Sequence, residues 1–279
     1  MSFKDNLGFI FSTESDEPVM QALEALGGGE NRATAVLFEL QPEPTFLPEG
    51  VFATAAWTEA GERLRESFAD DWGQLETRCK TALFPVAARS LRTPTSLAVT
   101  EAAACARHAS LSVMLRPGGT WPEDFRNEIF EAVLFESGRP LMLVPPEWKP
   151  QTLGRRVAIG WNGKREAARA LNDAMPMLRN ADEVTVMTVD ARPELGGCGK
   201  APGEDIAAHL ARMGIRAALR SIDGSGRDAG SALLAEAKEI EADIIVVGGY
   251  GTPRLREYVF GGVTRKLSRS ADIPVLLSH

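Results

Sequence analysis

Short apolar runs alternate with amphipathic stretches throughout the second half of the chain. VAIGW (157–161) reads as a buried strand and EAARALNDAMPML (166–178) as a helix bent near Pro176. EVTVMTV (183–189) is a strand, EDIAAHLARMG (204–214) a helix and IRAALRSI (215–222) a strand. GSALLAEAKEIEA (230–242) is a helix, DIIVVGG (243–249) a β-branched strand, VTRKLSRS (263–270) a short helix and IPVLLS (273–278) the last strand. Four- to seven-residue apolar runs separated by 3.6-periodic segments predict right-handed βαβ units around a parallel sheet.

The first half follows the same order more loosely. LGFIFST (7–13), ATAVLFEL (33–40), PVAARSL (85–91), LSVML (111–115) and RPLMLVP (139–145) take the strand places. Helical patterns lie near 16–26, 58–83, 95–108 and 122–136. The two halves end alike, FEAVLFESGRPLMLVP against VTRKLSRSADIPVLLSH: a helix, a break, then an X-Pro-apolar strand. Between them, VPPEWKPQTLGRR places three prolines, which donate nothing to a sheet and restrict the residue before them. The pattern predicts a tandem duplication of one α/β domain of about 140 residues, with domains at 1–148 and 154–279.

Composition narrows the function classes. A net charge of −7 and a pI near 5.2 argue against general nucleic-acid or anionic-membrane binding, since both need a basic surface. Cys79, Cys105 and Cys198 are scattered and form no CxxC pair, so neither a disulfide framework nor a zinc site is expected. The N-terminus lacks a long apolar run, and no segment reaches membrane-spanning length, so a cytoplasmic setting is the expectation.

The candidate chemistry lies in VVGGYGTPRLREYVFGGVTRKL (246–267). Gly248 to Gly251 begin at the carboxyl end of a predicted strand, where ligands of open parallel sheets gather. Gly261 and Gly262 open a helix whose first turn includes Thr264, and a helix N-terminus offers unpaired N–H groups to an anion. Arg254, Arg256 and Arg265 add positive charge in an otherwise acidic protein. These features together fit a nucleotide phosphate site.

The spacing Gly248-x2-Gly251-x9-Gly261, followed by a helix and IPVLLS, resembles the G-x2-G-x9-G-(S/T) signature of the universal stress protein family. The resemblance covers about 125 residues of the second half and the first half in element order, as in a tandem-domain member. It implies two Rossmann-like domains, each an open five-stranded parallel sheet of order 3-2-1-4-5 flanked by helices. It also implies domain pairing within the chain through the last strands, here Leu141–Val144 and Val275–Leu277, with a homodimer as a further expectation. The implied cofactor is ATP, alone or with Mg²⁺, bound without catalysis. By position, Gly248 and Gly251 approach ribose and phosphates, and Gly261, Gly262, Val263 and Thr264 wrap the β- and γ-phosphates. Val189 meets the adenine ring through its backbone, and Asn162 stands where the family carries an acidic residue.

The departures are specific. Gly262 replaces the expected Ser or Thr, leaving a backbone N–H and, two residues on, the Thr264 hydroxyl. Asn162 is neutral. In the first half Ser12-Thr13-Glu14 replaces the acidic stretch, and no glycine pair opens the helix after Gly118 and Gly119. There Glu123 and Asp124 would repel a phosphate, so the first domain is expected to be a degenerate scaffold or to bind something else.

Other motifs read as ordinary structure. Asn162-Gly163-Lys164-Arg165 lacks the P-loop spacing, and His108, His209 and His279 form no metal pattern. Asp228 is expected to cap a helix, Glu62–Glu76 to be a solvated helix face, and Cys198 not to be a nucleophile. Three readings follow: an adenine-nucleotide-binding stress or regulatory protein signalling to a protein partner, a weak ATP hydrolase, and an interaction scaffold without nucleotide.

Overall fold

The computed structural model describes residues 3–28, 30–41, 43, 54–118, 123–149, 152–191, 203–249 and 262–279, with the backbone alone for 54–60, 123 and 124. In the first half the elements are β1 (Asp5–Ile10), α1 (Glu17–Ala25), β2 (Arg32–Gln41), α2 (Thr54–Lys80), β3 (Val86–Pro94), α3 (Ala98–Ala106), β4 (Leu111–Leu115), α4 (Glu123–Glu136) and β5 (Leu141–Val144). The second half has β6 (Arg156–Gly160), α5 (Arg165–Leu178), β7 (Glu183–Val189), α6 (Glu204–Arg212), β8 (Ala217–Ile222), α7 (Ala229–Glu239), β9 (Ile244–Gly248), α8 (Gly262–Ser270) and β10 (Val275–Ser278).

All ten strands form one sheet of order β3-β2-β1-β4-β5-β10-β9-β6-β7-β8. Each half is parallel within itself, in the 3-2-1-4-5 order, and the halves join where β5 runs antiparallel to β10. Val275 faces Leu143, Leu276 faces Met142 and Leu277 faces Leu141, all at most 1% exposed. The expected pairing of last strands is therefore present within the chain, and it removes two strand edges that would otherwise seek partners.

The inner strands are apolar on both faces because helices cover both faces, whereas the outer strand β3 is partly exposed and β8 largely so. One core lies under α1, α2, α5 and α6 and includes Val19, Leu23, Leu75, Leu171 and Leu210. The other lies under α3, α4, α7 and α8 and includes Ala102, Phe130, Leu134, Leu233 and Leu267. Each core is continuous across both halves, and every fully buried aliphatic or aromatic side chain contributes about 1.5–3 kcal/mol of transfer free energy.

Local signals set the helix ends. Asp228 caps α7, accepting the Ser231 N–H at 2.9 Å, as its position before the helix predicts. Pro176 lies inside α5, two residues from its end, and lacks the N–H that would bond the Asn172 carbonyl. β8 begins at Ala217 rather than at Ile215, which is buried just outside the strand and ties back to Leu210 through its N–H. The 27-residue α2 is three times as long as its counterpart α6. Arg78 fastens it to α1, reaching Glu17 at 3.0–3.1 Å and Glu24 at 2.8–2.9 Å.

Candidate functional site

In the second half, β6 stands between β7 and β9, so the chain reverses its direction of crossover beside β6. This switch point is the position at which an open α/β sheet leaves a crevice. Asn162, Val189 and Gly248 leave the carboxyl ends of these three neighbouring strands, and the structure thus brings them to one edge. The N-terminus of α8 follows β9 at that edge. Gly251 and Gly261, with Arg254 and Arg256, lie outside the described residues, as does Cys198.

Asn162 is exposed, and its side-chain oxygen accepts the Lys164 N–H at 3.0 Å, which turns the chain into α5. Val189 is half-buried. The next residue, Asp190, has φ +48° and accepts the Gly224 N–H at 2.8 Å, tying the ends of β7 and β8 together. Gly262 is exposed as the first residue of α8, Val263 is half-buried and Thr264 is 2% exposed.

The glycines have different physical reasons. A Cβ on Gly248 would lie 2.4 and 2.5 Å from backbone atoms of Glu166 and Ala167, so only glycine lets β9 pass under the start of α5. A Cβ on Gly249 would meet Leu134 of α4 at 3.0 Å, on the first half. A Cβ on Gly262 would meet nothing within 4 Å. Packing therefore fixes Gly248, whereas Gly262 has room for a side chain.

Glu166, in the first turn of α5, is an acidic residue at this edge that the sequence reading did not single out. It is 6% exposed, and Arg165 donates to it at 2.5 Å. Burial works to raise its carboxyl, but Arg165, a backbone N–H and the charge of His279 outweigh that and hold it below the ordinary range. Among the described residues no group of three His, Cys, Asp or Glu could hold a metal ion. Of the histidines, His209 sits half-buried on α6.

The first half fills the corresponding place with its own side chains. The ladders align the halves: Phe9 pairs with Val36 and Met114 as Gly160 pairs with Met187 and Val247. Phe11 then stands at the position of Asn162, and Phe38 at that of Val189. Helix α4 has 14 residues against nine in α8, with the same spacing from helix end to last strand, so its extra residues are N-terminal. That extra turn carries Phe125 and Arg126. Phe11 stacks on Phe38 with centroids 4.7 Å apart, and Phe125 sits edge-on to both at 5.9 and 6.1 Å.

Arg126 lies 5.0 Å over the Phe11 ring and donates to both carboxylate oxygens of Asp16, at 2.9 and 3.1 Å. Asp16 also accepts the N–H groups of Phe11 at 2.6 Å and Ser12 at 3.0 Å. Burial pushes the Asp16 carboxyl up, while Arg126 and these two N–H groups favour its charge. Thr13 is drawn away to Asp71 of α2, with both its N–H and its hydroxyl donating there at 2.7 and 2.6 Å. An aromatic cluster and a buried ion pair thus occupy the edge that is exposed at Asn162 in the second half. A cavity of about 180 Å³ remains beside Asp16, lined by Ile10, Thr13, Gln74 and Arg78.

Comparison with known proteins agrees with this layout. Residues 154–279 match the model of the Universal stress protein family. The stress response protein NhaX of Bacillus subtilis (strain 168) is 42% identical over 50 residues, a match spanning 18% of this chain and 30% of that relative. In structure, the chain is similar to a universal stress protein from Archaeoglobus fulgidus DSM 4304, with a TM-score of 0.68, 17% identity and 97% of each chain covered. A protein of unknown function from Pseudomonas aeruginosa PAO1 superposes with a TM-score of 0.56 at 12% identity, over 99% of this chain and 92% of that one. At such identities the structural matches speak for the fold, and over nearly the whole chain. No helix among the described residues is long and apolar enough to cross a membrane.

Proposed function

Since residues 154–279 match the Universal stress protein family and the fold is shared along the chain, we propose that this chain is a tandem-domain member of that family, a stress-response protein that binds an adenine nucleotide, ATP, in its second half only. The contrast between the two carboxyl edges carries this reading. Among the described residues Asn162 and Gly262 are exposed and Val189 is half-buried at the second-half edge, whereas Phe11, Phe38, Phe125 and the Arg126–Asp16 pair occupy the first. In this reading the base and ribose lie beside β6 and β7, and the phosphates meet the N–H groups at the start of α8. With Thr264 buried and Gly262 lacking a side chain, backbone N–H groups make most of the phosphate contacts.

We propose further that the nucleotide is held rather than turned over. A hydrolase needs a base able to take a proton from water. Glu166 is held ionised by Arg165 and is a weak base for that purpose. The signal to a protein partner is then the difference between the empty and the occupied state.

Purified full-length protein tests the reading by thermal shift with ATP, and by mass spectrometry of whatever it carries. Stabilisation by ATP, with no release of phosphate, is the expected result. No shift and no bound nucleotide would favour the scaffold reading instead.

A further inference from the structure

The nucleotide edge of the second half is framed by two described segments, Gly248–Gly249 at the exit of β9 and helix α8. Both touch the first half. At the exit of β9, the Gly249 N–H donates to the Ser278 carbonyl at 2.7 Å, and its own carbonyl lies 3.0 Å from Nδ1 of His279. The His279 ring meets Phe135 of α4 edge to face, with centroids 4.8 Å apart. Leu134, beside Phe135, fills the space where Gly249 would carry a side chain. On its other side β9 is pressed against α5, and Arg169 of α5 donates to the carbonyl of Gly138 just beyond α4, at 2.8 Å.

The second segment is held by the symmetry-related contact. Arg116 follows β4 as Gly249 follows β9, and its N–H donates to Val144 at 2.8 Å, as that of Gly249 does to Ser278. Its guanidinium crosses the seam and donates to the carbonyl of Arg269 in the last turn of α8. A cation at a helix C-terminus is favourably placed against the helix dipole. Each half's last helical turn therefore rests on the strand exit of the other; in the second half one contact lies at the exit of β9 and the other at the C-terminal end of α8.

We propose that the first half acts as a fixed positioning partner for the nucleotide site. Arg116 and Phe135 set where α8 and the β9 exit stand, so nucleotide binding in the second half and packing across the seam are coupled. The inference rests on the nucleotide reading for its ligand, but its mechanical part does not. Neither residue is assigned a ligand contact, and both are positioning residues. The coupling is reciprocal: what the seam contributes to nucleotide affinity, nucleotide returns as tighter packing across the seam.

Hydrogen exchange on the full chain, with and without ATP, tests this with Arg116→Ala, Phe135→Ala and the conservative pair Arg116→Lys and Phe135→Tyr. Phe135 is 41% exposed, so its truncation leaves the core intact. Without nucleotide, Arg116→Ala is expected to speed exchange in α8, and Phe135→Ala at Gly249 and β10. ATP binding should weaken about fivefold in each, within the usual range of coupling between sites, and recover in the conservative variants. ATP should also slow exchange at the end of α4 in the native protein. Unchanged exchange in the second half of both alanine variants overturns the proposal, whatever the affinity does. Altered exchange in a protein that binds no ATP leaves the positioning intact and removes the nucleotide reading.

Discussion

Arg126 and Asp16 stand 110 residues apart in sequence and form a buried ion pair, with side chains 5% and 0% exposed. The pair closes the first-half edge by joining the start of α4 to the turn before α1. Removing one partner strands the other charge in a low-dielectric site. Arg126→Ala or Asp16→Ala should each destabilise the protein by about 3–5 kcal/mol, read from denaturant unfolding. The double replacement Asp16→Leu with Arg126→Met should cost far less than the sum of the single changes. Additive effects would mean that the two charges do not depend on one another.

Gly248 and Gly262 should respond oppositely to a side chain. Gly248→Ala pushes a methyl into the backbone of α5 and should cost about 1–3 kcal/mol. Gly262→Ser places a side chain in open space at the first position of α8, and its effect on stability should stay within about 0.5 kcal/mol. The same hydroxyl should tighten ATP binding, by up to about tenfold for one added hydrogen bond. A Gly262→Ser variant with unchanged affinity would place the phosphates elsewhere.

The link between α1 and α2 should show in acid. Arg78 holds Glu24 below its ordinary value of 4.5. A carboxyl depressed in the folded state contributes stability above its unfolded pKa and loses it as pH falls through the folded one. The contribution is therefore complete at neutral pH and declines below about pH 4.5. Glu17 and Glu24 lie near the surface, so the whole network is worth about 1 kcal/mol or less. Arg78→Met should narrow its stability gap to the native protein as the pH is lowered from 5 to 3, measured by urea unfolding at each pH.

The seam predicts the behaviour of a fragment. Residues 152–279 alone would expose the β10 edge that β5 covers through Leu141, Met142 and Leu143. An apolar strand edge recruits a partner. The fragment should run as a dimer or larger species on size exclusion, and a stable monomer would show that the β5 pairing is dispensable.

The alternation of runs made the elements legible, because buried parallel strands read as continuous apolar stretches and their helices as amphipathic ones. The X-Pro-apolar endings marked β5 and β10 as equivalent, and the structure pairs them. Two things were not legible. The meaning of Gly248 depends on how closely α5 crosses β9, which no local pattern encodes. The closed first-half edge depends on Phe11, Phe38 and Phe125 meeting from three separate elements. Its one sequence signal was the longer helical pattern before β5, which carries an arginine four residues before Phe130. Gly251 and Gly261, the middle of the motif, lie outside the described residues, so that part of the site rests on the sequence.

Isothermal titration of ATP into the full-length protein tests the central claim most directly. The account predicts binding at one site per chain, tightened by Gly262→Ser and insensitive to Phe38→Leu in the first half. Two sites per chain, or heat that disappears with Phe38→Leu and persists unchanged in Gly262→Ser, would contradict it.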